Sequence, residues 1–201
     1  MTEALHVPVY IVDDDSSVRE ALRYMLEGYD FRVIDYESGD DFLNAVDVSA
    51  EPGCLILDSK MPGMSGQELH DKLNGISTTF SVIFLTGHGD VPMTVKAFRN
   101  GASDFFQKPV SAAELLPSIK KAQISSLLRY QKYCNETLFS TLTDREKELF
   151  YLIAEGQMNR QISEKLCISL RTVEVHRAKM MQKLNTDKIT DLIKFYHIVQ
   201  S

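Results

Sequence analysis

The sequence predicts an α/β fold: an open five-stranded parallel sheet, doubly wound by helices, followed by a separate all-α domain of four helices. Three observations carry this. Five short β-rich runs alternate with helical patterns over roughly the first 125 residues, the rhythm of a wound parallel sheet. Three of those runs, 9–12, 55–57 and 82–85, are continuously apolar, as strands covered on both faces are. After Gln123 the strand signals stop, and from Leu142 onward every pattern is helical.

The strand candidates are 7–12, 31–36, 54–57, 82–85 and 104–107. Between them stand helix starts. Ser17-x-x-Glu20, Ser65-x-x-Glu68 and Ser111-x-x-Glu114 each fit a capping box, in which two side chains satisfy the free N–H groups of the first turn. In the first helix Val18, Ala21, Leu22, Met25 and Leu26 form one stripe, the spacing of a buried face. Residues 124–133 continue the helix after the fifth strand, and 134–140 read as a short polar connection. No Pro- or Gly-rich tether separates the halves, so the linker is expected to be partly helical and stiff.

In the second half Thr143-x-x-Glu146 makes a fourth capping box. Gly156 stops that helix and Asn159 can cap the next. Residues 167–169 form a tight turn, with Ser169 capping a longer helix that runs to Leu184. A last amphipathic helix carries Ile189, Leu192, Ile193 and Tyr196 on one side. The predicted division is 1–125, a helical linker 126–140, and 141–201.

Composition narrows the function classes. Of 201 residues, 44% are hydrophobic and 25% charged, an ordinary globular balance that fits two domains. No apolar run approaches the roughly 18 residues of a membrane span, and 1–6 lack the pattern of a signal peptide. A cytoplasmic protein that does not engage membrane is expected. Cys54, Cys134 and Cys167 are widely spaced and odd in number, so they read as reduced core thiols. The net charge of −6 hides an asymmetry. Residues 1–125 hold 10 Lys+Arg against 19 Asp+Glu, hence −9, and 126–201 hold 12 against 9, hence +3. Such a split is expected where only one half meets a polyanion.

Placed on the five-strand scheme, the polar residues converge. Asp13 and Asp14 follow strand one, Asp58 follows strand three, Thr86 follows strand four and Lys108 follows strand five. All lie at carboxyl ends of parallel strands, where open α/β sheets build their sites. Three gathered carboxylates repel one another unless a cation sits among them, and Mg²⁺ suits an oxygen-only set that leaves room for phosphate. The arrangement suggests phosphoryl transfer to an aspartate, with Asp58 as nucleophile. Mg²⁺ would take one phosphoryl oxygen, Lys108 a second, and the Thr86 hydroxyl or a nearby backbone N–H a third. Taken singly each residue has a plainer reading. Asp13-Asp14-Asp15 could be an acidic helix start, which is the expected role of Asp15; Asp58 could begin a loop, and Lys108 could be a surface lysine.

The strings Ile11-Val12-Asp13-Asp14, Leu57-Asp58-x-x-Met61-Pro62-x-Met64-Ser65-Gly66, Leu85-Thr86-Gly87-His88-Gly89-Asp90 and Lys108-Pro109 together resemble the receiver domain of response regulators, specifically the FixJ subgroup. The resemblance covers roughly 5–125 and implies a flavodoxin-like fold. It further implies that Asp58 accepts phosphate from a sensor histidine kinase and that Asp14 and Asp58 ligate Mg²⁺ directly. Asp13 would act through a water, with the Lys60 carbonyl completing the protein ligands. Thr86 and Phe105 would form the switch, and Lys108-Pro109 would carry a cis peptide. Phe105 stands where many receivers have Tyr. Ser59 and Lys60 stand where the subgroup more often has an apolar residue and Arg. Lys60 and His88 border the expected phosphoryl site and are candidates for tuning the phosphoryl lifetime.

Leu142-Thr143-x-Arg145-Glu146, Gly156-x-Met158-Asn159-Arg160-x-Ile162, Ile168-Ser169-x-x-Thr172-Val173-Glu174-Val175-His176-Arg177 and Lys183-Leu184 resemble the LuxR/NarL-type DNA-binding domain over about 140–200. Helices 159–166 and 170–184 would form a helix-turn-helix whose second helix enters the major groove. Helical geometry puts Val173, His176, Met180 and Leu184 on the core face, His176 as a packed structural histidine. Arg171, Val175, Ala178 and Gln182 take the opposite face, flanked by Glu174 and Lys179. Arg171 and Lys179 can reach phosphates or guanine edges, Val175 a thymine methyl and Glu174 a cytosine amino group. Thr172 belongs to the same DNA-facing set, and Arg177, nearer the buried edge, would clamp backbone phosphate.

The combined reading is a regulator of transcription, not an enzyme, which binds double-stranded promoter DNA and forms a homodimer on phosphorylation. The dimer face suggested by the resemblance is roughly 91–123. An aspartate-nucleophile phosphatase would use the same Asp, Mg²⁺ and Lys, but Asp58-Ser59-Lys60 lacks that enzyme's second Asp two residues on. A pure protein-interaction switch would bind no DNA. Over short segments only, 84–91, 107–111 and 158–160, the chain also resembles regulators of tetrathionate respiration.

Overall fold

The computed structural model describes residues 7–76, 78–87, 95 and 97–200. It divides into two compact units, Met1–Tyr130 and Gln131–Ser201.

In the first unit five strands pair in parallel: β1 (Val9–Val12), β2 (Val33–Tyr36), β3 (Cys54–Leu57), β4 (Ser81–Thr86) and β5 (Asp104–Gln107), in the order β2-β1-β3-β4-β5. This is the flavodoxin-like arrangement, whose strand order reverses between β1 and β3 and opens a crevice at their carboxyl ends. Alternation along the strands splits the core in two, because successive side chains point to opposite faces. Val9, Ile11 and Ile56 pack with Leu22 and Leu26 of α1 (Ser16–Glu27) and with Leu115 and Ile119 of α4 (Ala112–Ser140). Tyr10, Val12, Leu55 and Leu57 face the other way, onto Phe42 of α2 (Gly39–Ala45) and Leu69 and Leu73 of α3 (Gly66–Gly75).

Helix starts match the capping-box expectation in part. Ser65 and Glu68 close a true capping box on α3, and the Glu114 carboxylate accepts from Ser111 N and Oγ. Ser17, however, lies inside α1. The N-cap is Asp15, whose carboxylate accepts from Ser17 N at 2.9 Å; a side chain two residues upstream was better placed to take that N–H. The stripe on α1 is also narrower than expected, since Leu22 and Leu26 are buried while Val18 and Met25 are half-buried and Ala21 is exposed.

Residues 134–140 are no loop, for α4 runs unbroken to Ser140. Ser126 is fully buried in the first unit, accepting a hydrogen bond from Gly53 N at 2.7 Å, and Arg129 donates to the Phe80 carbonyl. Leu138 and Phe139 pack against the core of the second unit. Polar residues there serve as the outer faces of a helix.

The second unit contains α5 (Asp144–Ala154), α6 (Asn159–Lys165), α7 (Leu170–Lys183) and α8 (Ile189–Gln200). Thr143 and Glu146 close the expected capping box. Gly156 ends α5 with φ 82°, a left-handed conformation that glycine adopts without penalty. Asn159 does not cap α6. Met158 takes that place and its N–H is satisfied by Gln161. Ser169 caps α7, accepting from Thr172 N. On α8 the core residues are Leu192 and Phe195, with Tyr196 packed beside them, while Ile189 and Ile193 are exposed. The three cysteines are free, but only Cys54 is buried; Cys134 is half-buried and Cys167 exposed, which corrects the expectation of core thiols.

Among the described residues no helix is long and apolar enough to cross a membrane.

Candidate functional site

Each strand that flanks the crevice ends in a polar group. Asp13 follows β1, Asp58 follows β3, Thr86 is the last residue of β4, and Lys108 follows β5. The structure brings the charged ones together. Lys108 Nζ donates to Asp13 Oδ2 at 2.6 Å and to Asp58 Oδ2 at 3.0 Å, spanning the strand-order reversal. Asp13 is 2% and Asp58 9% exposed, whereas Asp14 is open to solvent. One carboxylate oxygen from each of the three lies within 4.8 Å of the others.

Electrostatics follow from this packing. Burial pushes the Asp13 carboxyl above its ordinary value, and the charge of Asp58 adds to the rise against the opposing pull of Lys108. Burial works against the Lys108 ammonium, yet its bonds and charge pairing with Asp13 and Asp58 outweigh that and raise its pKa. Three oxygen ligands, a part-buried negative site and one solvent-facing member make a donor set that fits a hard divalent cation.

The surrounding scaffold fixes these groups. Arg19 Nη1 donates to the Asp13 carbonyl at 2.7 Å while its Nε pairs with Asp35 at 3.1 Å. Asp58 N donates to the Val12 carbonyl, and Lys60 N reaches Asp58 Oδ1 at 3.3 Å. Gly66 opens α3 so close by that a Cβ there would stand 1.9 Å from the Asp58 carbonyl oxygen. The Ser59 hydroxyl donates to Thr86 Oγ1 at 2.6 Å, both residues being buried. Arg19 and the Ser59 contact were missed in the sequence. Arg19 gave no signal there, and Ser59 gave only its departure from the usual apolar residue.

Phe105, the expected switch side chain, is half-buried and packs against Phe84 with centroids 6.3 Å apart. Lys60 is exposed. The peptide Lys108-Pro109 is cis. His88, Gly89, Asp90 and the stretch 91–94 of the expected dimer face lie outside the described residues. A groove of about 430 Å³ opens beside Lys108, lined by Val18, Ala21, Met25, Leu85 and Pro109.

In the second unit Val173, Met180 and Leu184 are buried and His176 is half-buried. Arg171, Glu174, Val175, Ala178, Lys179 and Gln182 are all exposed, as the helical spacing required. Thr172 is half-buried, its hydroxyl paired with Ser169 at 2.8 Å. Arg177, also half-buried, donates to the Asn159 side chain.

The response regulator receiver domain matches residues 9–120, and the luxR family of bacterial regulatory proteins matches 140–196. The Tetrathionate response regulatory protein TtrR of Salmonella typhimurium is 38% identical over 193 residues, covering 96% of this chain and 93% of its own. Transcriptional regulatory protein FixJ of Azorhizobium caulinodans is 36% identical, covering 96% and 92%. Among solved structures, response regulator StyR superposes with a TM-score of 0.72 at 40% identity over 96% of this chain and 98% of that one.

Proposed function

The chain belongs to the response regulators with a receiver domain and a LuxR-family DNA-binding domain, and from that premise we propose that Asp58 is the phosphoacceptor whose modification controls DNA binding. The observation that carries this is the Lys108 ammonium bridging Asp13 and Asp58 across the crevice. Asp13, Asp14, Asp58 and the Lys60 carbonyl would hold Mg²⁺, which when bound neutralises charge on the phosphoryl oxygens.

The acceptor step follows from the residues. An Asp58 carboxylate oxygen attacks the phosphorus of a sensor kinase's phosphohistidine. The P–N bond breaks as the P–O bond forms, and the imidazole leaves with the electron pair. Because the transferred group is metaphosphate-like, positioning and charge neutralisation dominate the rate. Lys108 holds one equatorial oxygen. Thr86 turns its hydroxyl toward another, and Phe105 takes the space it leaves. The apolar groove beside Lys108 offers the kinase a surface next to the reacting carboxylate.

The activated receiver then dimerises through the surface 91–123, where exposed Val95 and Phe98 support an apolar contact. Two DNA-binding domains on adjacent half-sites gain an affinity that one weakly basic domain lacks. Arg171, Thr172, Glu174, Val175, Arg177, Ala178, Lys179 and Gln182 form the DNA-facing set. In this reading the receiver spans 1–125, the linker 126–140 and the DNA-binding domain 141–201, and the protein works in the cytoplasm as a regulator and not as an enzyme.

Intact-mass analysis after incubation with acetyl phosphate and Mg²⁺ tests the acceptor. One phosphoryl group is expected, absent in Asp58→Asn, with tighter binding to promoter duplex in a gel shift. Modification that persists in Asp58→Asn would overturn the assignment.

A further inference from the structure

The Ser59–Thr86 hydrogen bond is not part of the phosphoryl chemistry above, yet it joins the residue after the acceptor to the residue that must turn. Ser59 is 2% and Thr86 1% exposed, and the Ser59 hydroxyl donates to Thr86 Oγ1 at 2.6 Å. Water cannot readily replace a bond broken there. The donor is also held in place. The preceding residue is tied through Asp58 N to the Val12 carbonyl at 2.9 Å, and the Ser59 carbonyl accepts from Gly66 N at 3.2 Å. Gly66 itself sits against the Asp58 carbonyl with no room for a Cβ. The Ser59 backbone therefore cannot follow a side chain that swings away, and a serine Oγ reaches only a single bond beyond its Cβ. Thr86, β-branched, changes position by a discrete rotamer jump, not by gradual drift.

We infer that Ser59 is a positioning residue that latches Thr86 in its resting rotamer, so that the unphosphorylated receiver resists switching. This rests on the phosphoacceptor reading and deepens it. An apolar residue at position 59 would leave Thr86 freer, and the hydroxyl makes this chain's resting state the deeper of the two. In a two-state receiver a ligand that selects the switched form binds with an apparent affinity reduced by the rarity of that form. Removing a latch worth one buried hydrogen bond raises the switched population, and with it the apparent affinity, by about two- to tenfold.

The experiment titrates the full-length chain, in excess Mg²⁺, with beryllofluoride as an acyl-phosphate mimic. Binding is followed through the backbone amide of Thr86 by NMR. Ser59→Ala is expected to lower the half-saturating concentration about two- to tenfold. Ser59→Thr, which keeps the hydroxyl, is expected to stay near the parent. Ser59→Cys, a weaker donor of similar size, should move in the same direction by less, which keeps the test open if the alanine variant folds poorly. In a Thr86→Val background, Ser59→Ala should change nothing further, a coupling that a merely structural role for Ser59 would not produce. Unchanged or weaker binding in Ser59→Ala, or an equal shift in both Thr86 backgrounds, would overturn the latch while leaving Asp58 as acceptor. Failure of the parent chain to bind beryllofluoride at all would overturn both.

Discussion

The Arg177 guanidinium donates to the Asn159 side-chain oxygen at 3.0 Å, tying the helix expected to read DNA to the first residue of the helix that precedes it. A hydrogen bond from a charged donor of this kind contributes about 1.5 kcal/mol when half-buried. Asn159→Ala and Arg177→Met are each expected to lower the unfolding free energy by about that amount, and the double variant by little more, because both remove one bond. Denaturant titration measures this. If Arg177 also touches phosphate, its variant alone reduces the salt slope of DNA binding by about one.

Glu146 is a buried carboxylate held by Lys183 at 2.6 Å and by Thr143 N at 2.8 Å. Burial alone would raise its pKa, but the bonds from Lys183 and Thr143 together hold it below the ordinary value. The folded value then lies below the unfolded one. The stabilisation is whole above the unfolded value, about pH 4.3, and is lost as pH falls through the depressed folded value. Calorimetry should show the second unit's transition dropping in that acid range, with a flatter profile in Glu146→Gln. Lys183→Met, which leaves the carboxylate with Thr143 alone, should destabilise the second unit at neutral pH by about 1–2 kcal/mol, the partly exposed ammonium being screened by solvent.

The cluster of Asp13, Asp14 and Asp58 predicts stabilisation by metal. Mg²⁺ at a hundred times its dissociation constant should stabilise the first unit by about 2.7 kcal/mol. Asp14→Asn or Asp58→Asn should abolish the shift, and Glu20→Gln, exposed and outside the cluster, should leave it intact. Because burial raises the Asp13 carboxyl, protons compete with the cation, and the metal-induced rise in Tm should weaken as pH falls through that raised value.

Gly66→Ala should damage both fold and chemistry. The added carbon meets a backbone carbonyl, which cannot rotate aside as a side chain would. A loss on the order of 1–3 kcal/mol is expected, and, with Asp58 as the proposed acceptor, slower phosphorylation under acetyl phosphate, since the Asp58 peptide must shift.

Much of this was legible in the residue pattern, for reasons that differ from part to part. The five strands came within two residues of their true ends. The three central ones are fully buried and marked by unbroken apolar runs such as 54–57, and the half-buried edge strands 33–36 and 104–107 followed from β-rich composition in the alternating pattern. The Asp13–Asp58–Lys108 cluster followed from topology, since residues after parallel strands share one edge. What failed were choices between competing local partners. Ser17 matched a capping box, but Asp15 lay closer to the free N–H; Asn159 looked like a cap and became the acceptor for Arg177. Residues 134–140 were polar because a helix surface is polar too. The Ser59–Thr86 contact joins residues 27 apart in sequence, and no local pattern could foretell it.

The long helix α4 has one further property. Ser126 is buried against the first unit, and Leu138 and Phe139 are half-buried against the second unit's core, while none of 131–137 is fully buried. With no fully buried side chain, that middle stretch has little packing to add to its intrinsic propensity, in a segment too short for an isolated helix to be stable in water. Its amide protons should exchange with deuterium through local opening, well before those around Ile119 or Leu149. The helix is continuous in outline, yet its amides should not open at one common rate along its length.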